Sequence, residues 1–528
     1  MFLRTTTSVL AVAAFAAPAL AEVTPLEVWQ NWVEYYKANG YTVTEGARVE
    51  AGQTLTLRDV VVGYDQPEEG ARLEFRTPQI TLTGTGDGRV RTTLAETSPV
   101  TASFRDSDGK QVTLNGSLVA RDAEIVSGGT AADMTHESRA GELTLALQSV
   151  QTPEGTRDVP ASLKLVNATS RQQIADAGMM RFDAAMAADR LELAADYADP
   201  EGAESPGRIK VDSVIEGLQA TSSGSLPKDV DVTQAMHSAL RAGMDVTATL
   251  SARQGRLGLD FAGTDDQGQQ DKARADTTLQ GVEVTVGLGP DGMKYQGGID
   301  ATTTEMTARD LPAPVSYSVT EASFDMQFPV MQAPAPAPFK LAYSIGGLTL
   351  ADSVWDLFDS ARTLPRDPAS LDIDITGLVR MTMDLFDPAL TEAAEAAEET
   401  AAEGTTPPAE GTETPEETPS PFEPVQISVN KLALAALGAS IDASGELAVP
   451  EGGNPEQPVG QLNARFEGVN GLIDRLVQIG VIAPDEVAGY RMMLAMFTRP
   501  APEGGDALVS QFEFREGGQV FANGQQVK

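Results

Sequence analysis

The sequence predicts a mainly β protein, a β-rich α+β chain in which a few helices pack on large, elongated and curved antiparallel sheet. Two observations predict it. Apolar and polar residues alternate with a period of two from Thr54 nearly to the C-terminus: Leu55 and Leu57 alternate with Thr, Leu73 and Phe75 with Arg and Glu, Ile80 and Leu82 with Thr. That is the signature of a strand with one dry and one wet face. The runs are separated by turn clusters such as Gly84-Thr85-Gly86-Asp87-Gly88, Asp106-Ser107-Asp108-Gly109 and Pro153-Glu154-Gly155. Such residues supply positive φ or local side-chain bonds and imply antiparallel connections. The core must be aliphatic, because the 528 residues are 41% hydrophobic but only 5% aromatic.

Taken in order, residues 1–21 read as a secretory signal peptide: Arg4, the apolar run Val9–Leu20, then Ala19-Leu20-Ala21 as an A-x-A cleavage site. The run is shorter than the ~20 residues of a spanning helix. The mature chain is expected to start near Glu22, in the periplasm, without a lipid anchor or a transmembrane segment. Residues 22–40 form an amphipathic helix. Thr24-Pro25-Leu26-Glu27 is a capping box with Pro at the first helical position, and Leu26, Trp29, Trp32, Val33 and Tyr36 share a face. Two of the three Trp residues sit here, where they dock the helix on the sheet or stack on a ligand.

Residues 41–230 form a first β-rich half, with Arg171–Ala177 read as a helical turn. Residues 231–391 form a second half, with Val246/Leu250 and Leu257/Leu259/Phe261 among its alternating runs. It carries short helices at Thr233–Ala242 and Asp352–Leu364. Residues 392–424 hold ten acidic residues, no Lys or Arg and many Pro and Thr, the composition of a disordered acidic loop. Residues 425–528 return to strand as part of the second half. Within them Asn470 caps Gly471–Ile479, Pro484 opens Asp485–Phe497, and this helical hairpin packs on the sheet ahead of a terminal β-hairpin.

Function classes are narrowed by what the chain contains. The 38 basic against 76 acidic residues leave a net charge of −38, so nucleic acid and anionic surfaces are poor partners. The chain has no Cys, which excludes thiol catalysis and Cys-bound metal centres. His136 and His237 lie apart and read as surface or hydrogen-bonded structural residues. Asp229/Asp231 and Asp372/Asp374 have the D-x-D spacing that puts both carboxylates on one strand face, the material of a glycosidase pair or a Ca²⁺ site. Among so many acids the wet face of a strand explains them, and a hairpin turn explains Asp106–Gly109. No phosphate-binding, dinucleotide or zincin motif occurs. No catalytic, metal-binding or cofactor-binding residue is assigned, and no cofactor is expected.

The Trp-bearing helix, "GQTLTLRDVVV", "LEFRTPQITLTGTGDGRVRTTLAETSPVTASF" and the closing "FEFREGGQVFANGQQV" resemble the DUF2125 family of uncharacterised exported alphaproteobacterial proteins, over most of the mature chain. The resemblance implies a periplasmic location and supplies no reaction and no functional residues. Three readings follow: a non-enzymatic envelope protein that binds a hydrophobic ligand, such as a lipid, or a protein partner on its sheet; a carboxylate-based periplasmic hydrolase; and a structural spacer.

Overall fold

The computed structural model describes residues 22–66, 70–176, 178–199, 206–228, 230, 232, 235–264, 268–387, 420–450 and 452–528. The signal-peptide stretch 1–21, the pair Asp229/Asp231 and most of the acidic segment, 392–419, lie outside the described residues. Strand makes up 64% and helix 10%, and the expectation of a mainly β fold holds.

Pro25–Ala38 (α1) starts on the expected capping box: Thr24 Oγ1 accepts the Glu27 N–H and Glu27 Oε2 accepts the Thr24 N–H. The strands follow as Thr42–Thr44 (β1), Ala47–Ala51 (β2), Thr54–Gln66 (β3), Ala71–Gly84 (β4), Val90–Leu94 (β5), Thr97–Arg105 (β6), Gln111–Arg121 (β7), Glu124–Thr130 (β8), Asp133–Thr152 (β9), Gly155–Asp176 (β10), Met180–Ala198 (β11) and Arg208–Leu226 (β12). Met236–Arg241 (α2) leads to Asp245–Thr264 (β13), Gln270–Gly289 (β14), Gly292–Ile299 (β15), Ala301–Ala308 (β16), Val315–Val319 (β17), Glu321–Phe328 (β18) and Ala337–Leu350 (β19). After Asp352–Trp355 (α3) come Ala369–Met381 (β20), Phe422–Ala436 (β21), Ala439–Ala448 (β22) and Val459–Glu467 (β23). Val469–Gln478 (α4) and Val487–Phe497 (α5) precede Arg499–Pro500 (β24), Leu508–Arg515 (β25), Gln519–Ala522 (β26) and Gln525–Gln526 (β27).

All pairings are antiparallel, and the long strands pair in sequence order from β9 to β14 and again from β18 to β23. Two pairs of short strands on each side of the midpoint are single long strands interrupted once: β5 with β6 along β4, β7 with β8 along β9, β15 with β16 along β14, and β17 with β18 along β19. Because β12 pairs with β13, hydrogen bonding runs unbroken from one half of the chain into the other.

Five local readings are corrected. Arg171–Asp176 is the end of β10, not a helical turn, and Ala177 is outside the described residues. Val246–Leu250 and Leu257–Phe261 are one strand, β13. The helix expected at Asp352–Leu364 stops after one turn, where the Asp359 carboxylate accepts the N–H groups of Thr363 and Leu364 and draws the chain into a tight loop. β21 begins at Phe422, inside the segment read as acidic loop. Gly468, in the left-handed region at φ 68°, caps α4; Asn470 instead donates to Asp506. The hairpin packs unevenly. α4 buries Ile473, while α5 buries no side chain, leaves Met492 74% exposed, and is held at Phe497, whose carbonyl accepts from Ser510 and Asn523 and whose ring meets Phe512.

The feature that shapes the sheet is a phase slip shared by adjacent strands. Residues directly opposite one another share a face. Following opposed pairs, the apolar face of β10 carries Leu163 and Leu165, then Ala168, Ser170, Gln172 and Ile174, so one step is three residues instead of two. The same step separates Leu57 from Val60, Leu143 from Ala140, Leu191 from Ala188, Ile215 from Leu218, Leu279 from Val282 and Val319 from Ala322. Residues able to take positive φ occupy the slip: Asp59 (50°), Asp122 (53°), Asn167 (51°), Gly217 (66°), Gly281 (58°) and Gly347 (62°). Aligned strand to strand, these steps crease the sheet into two panels that keep their apolar residues on the same face. Ala168, Ala188 and Leu218 at the crease are buried against Leu143, Leu165, Leu191 and Ile215 of one panel and Met186 of the other, with no helix over them. Both panels thus keep their apolar residues on one face, and the crease runs across it.

Candidate functional site

The apolar face along the crease, here called the trough, is covered unequally on its two sides. Helices α1 and α2 both dock on the panel that carries Leu55, Leu57, Ile80, Leu82 and Ile174. α1 does so through Val28 and Trp29, and α2 through Ala239 against Ile174, Met180 and Leu226. On the other panel Val60 also lies under α1, but the stretch from β9 to β13 is open. Leu145, Leu163 and Leu193 stand directly opposite one another on β9, β10 and β11, and Leu257 and Leu259 continue the wall on β13. These leucines are between 38% and 44% exposed. Beyond the crease Leu250 and Val286 stay open in the same way. The opposite face of the same strands is polar and ion-paired: Lys164 with Glu192, Arg208 with Asp196, Arg256 and Arg274 with Asp276. From β7 to β19 the trough crosses nine inter-strand steps of ~4.8 Å, about 45 Å in all.

Beneath α1 the trough deepens into a cavity of 420 Å³ that straddles the crease. Its aromatic wall is Trp29, Trp32, Tyr35, Tyr36 and Tyr41, and its polar floor is His136, Ser138, Ser170 and Gln172. The strand register explains the floor, since Ser138 opposes Ser170 and His136 opposes Gln172 on the inward face. Ser138 and Ser170 share a hydrogen bond of 2.7 Å.

His136 is buried and tied to α1. The indole N–H of Trp32 donates to Nδ1 at 3.2 Å, and Ser127 Oγ lies 2.8 Å from the same nitrogen. An indole can only donate, so Nδ1 is an acceptor and the ring proton sits on Nε2, which donates to Asn31 Oδ1 at 3.0 Å. Burial pushes the His136 pKa down to about 4, and the ring is neutral at ordinary pH. Tyr35 is raised above its usual phenol value, chiefly by burial, and stays protonated. Trp29 donates to Glu45 at 2.6 Å, and Glu45 is bridged to Arg48, which holds its carboxyl below the usual range.

The motif candidates fall elsewhere. Asp372 and Asp374 lie on the polar face: Asp372 accepts from Lys431 and Ser344, Asp374 from Asn430. Asp106 closes the β6–β7 turn by accepting from the N–H groups of Asp108 and Lys110. His237 contacts Ser238. Of the buried carboxylates, Asp359 serves its own loop and Asp384 accepts from Arg241 and Gln332. Among the described residues no group of His, Asp and Glu is arranged to hold a metal ion, and no helix is long and apolar enough to cross a membrane. Sequence reasoning found the Trp face of α1 and its docking on the sheet. It missed the cavity, whose floor residues come from β9 and β10.

A family model described as an uncharacterized protein conserved in bacteria (DUF2125) matches residues 227–523, more than half of the chain. The match begins at the second half, so the N-terminal phrases that carry the resemblance lie outside it and only the closing hairpin falls within. No curated protein matches the chain.

Proposed function

The chain belongs to the DUF2125 family of uncharacterized proteins conserved in bacteria, and from that premise we propose that it is a non-enzymatic protein of the periplasm that binds the apolar chain of an amphiphile in its creased sheet. The observation that carries this reading is the bare leucine wall, Leu145–Leu163–Leu193, on the apolar side of a sheet whose backbone is already paired. A wall of this kind offers no donors or acceptors. An extended peptide laid in it would lose its own backbone hydrogen bonds to water without replacement, at several kcal/mol in total. A hydrocarbon chain loses nothing polar and gains ~0.8 kcal/mol for each buried methylene. The trough's length of about 45 Å exceeds the ~15 Å that one leaflet's chains span, so a whole chain fits along it.

The test uses the full exported chain, purified without detergent. Its extract is examined for acyl chains by mass spectrometry, and a fluorescent fatty acid is titrated in. Stoichiometric binding is expected, weakened at least about tenfold by Leu163→Asp with Leu193→Asp. An empty extract together with no binding of the fluorescent probe refutes the reading.

A further inference from the structure

The cavity beneath α1 is chemically unlike the rest of the trough. Trp29, Trp32, Tyr35, Tyr36 and Tyr41 concentrate there in a chain that is 5% aromatic. Neighbouring rings stand steeply to one another, at 73° for Trp29–Trp32, 67° for Tyr35–Tyr36 and 76° for Tyr36–Tyr41. They pack edge to face and are not a stacked column. No Lys, Arg, Asp or Glu lines the cavity. An anionic headgroup would find no countercharge and would meet the field of a chain carrying −38. A primary ammonium is a strongly hydrated point charge, and here it would exchange its water for neutral acceptors alone, the Ser138, Ser170 and Thr77 hydroxyls and the Gln172 amide, with no carboxylate. A quaternary ammonium needs no hydrogen bond, is weakly hydrated, and is attracted to ring faces.

We propose that this aromatic cavity is the seat of a quaternary ammonium headgroup whose apolar chain continues along the crease. The inference rests on the trough reading for the chain, but it adds a headgroup class that the leucine wall alone does not specify.

Octyl probes below their micelle concentrations separate the two. The full chain is used with Trp355→Phe, so that only Trp29 and Trp32 emit, and octyltrimethylammonium, octylammonium, octyl sulfate and 1-octanol are titrated. Octyltrimethylammonium is expected to shift the emission and to bind about tenfold more tightly than 1-octanol, with octyl sulfate weakest. Tyr41→Leu is expected to lower the ratio of octyltrimethylammonium to 1-octanol affinity at least about threefold, and Tyr41→Phe to retain it; an unchanged ratio in Tyr41→Leu counts against the assignment. Equal affinities for octyltrimethylammonium and 1-octanol, or tighter binding of octylammonium, overturn the headgroup assignment and leave the trough reading standing. Binding of none of the four overturns both.

Discussion

Replacing His136 by Gln should remove a pH dependence that the native chain carries. In the fold the His136 pKa lies at about 4, against an ordinary value near 6.5. Burial is the cause, and the local geometry reinforces it, because a proton on Nδ1 would point at the indole N–H of Trp32. The unfolded chain takes up this proton below about pH 6.5 and the folded chain does not. The stability that neutral His136 supports is therefore complete above about 6.5. It declines as pH falls toward about 4 and levels off below that. At about pH 5 the difference in proton binding amounts to about 2 kcal/mol, an order-of-magnitude figure. Gln can accept from Trp32 and donate as well, but it does not titrate. Urea unfolding should be followed by Trp emission in the Trp355→Phe background at about pH 7.5 and about pH 5. The acids of the chain titrate alike in both proteins and cancel in the comparison. The native protein should lose about 2 kcal/mol more than the variant between the two pH values. Parallel losses would refute the assignment of a buried neutral imidazole locked to α1.

Three further outcomes follow from the same structure. Thr24→Ala removes the oxygen that accepts the Glu27 N–H and should cost about 1 kcal/mol in α1 docking, seen as earlier urea release of the Trp29/Trp32 signal. Gly281→Ala places a Cβ at φ 58° and 1.8 Å from Asp300 Oδ2; the left-handed backbone alone costs about 1–2 kcal/mol, so a lowered unfolding midpoint is expected, and Asp300→Ala in the same chain should recover the part due to the clash. Leu163→Asp, at a side chain already 39% exposed, should change the urea midpoint little while weakening fatty-acid binding, and a large loss of stability would show that this leucine is a core residue.

What the sequence disclosed and what it hid divide along the crease. Local chemistry was legible: Thr24 and Glu27 announced the start of α1, and Asn523-Gly524, both at positive φ, announced the turn between β26 and β27. Alternation was legible on either side of the slip, but the slip itself was not. Period-two reading breaks at Arg253, the residue the register skips beside Gly281, so β13 looked like two strands. The turn wrongly read at Arg171–Ala177 has a related cause. Ser170 and Gln172 are inward positions filled with polar residues because they floor the cavity. An apolar alternation cannot announce a strand whose inner face is polar. The polar floor became readable only once β9 was seen to place His136 and Ser138 opposite those residues.

The crease also answers how so much leucine can stay uncovered. A flat apolar sheet face is an invitation to a second sheet, and long exposed strand edges invite further strands. Here the outermost strands are short, with β1 and β2 of three and five residues at one end and β27 of two at the other. At the crease Ala168 and Ala188 are already buried among the larger side chains of both panels. In the function proposed above, the aligned Asp59, Asn167, Gly217 and Gly281 positions contribute no catalytic group: they keep the apolar residues of both panels on one face, where the apolar chain is proposed to lie.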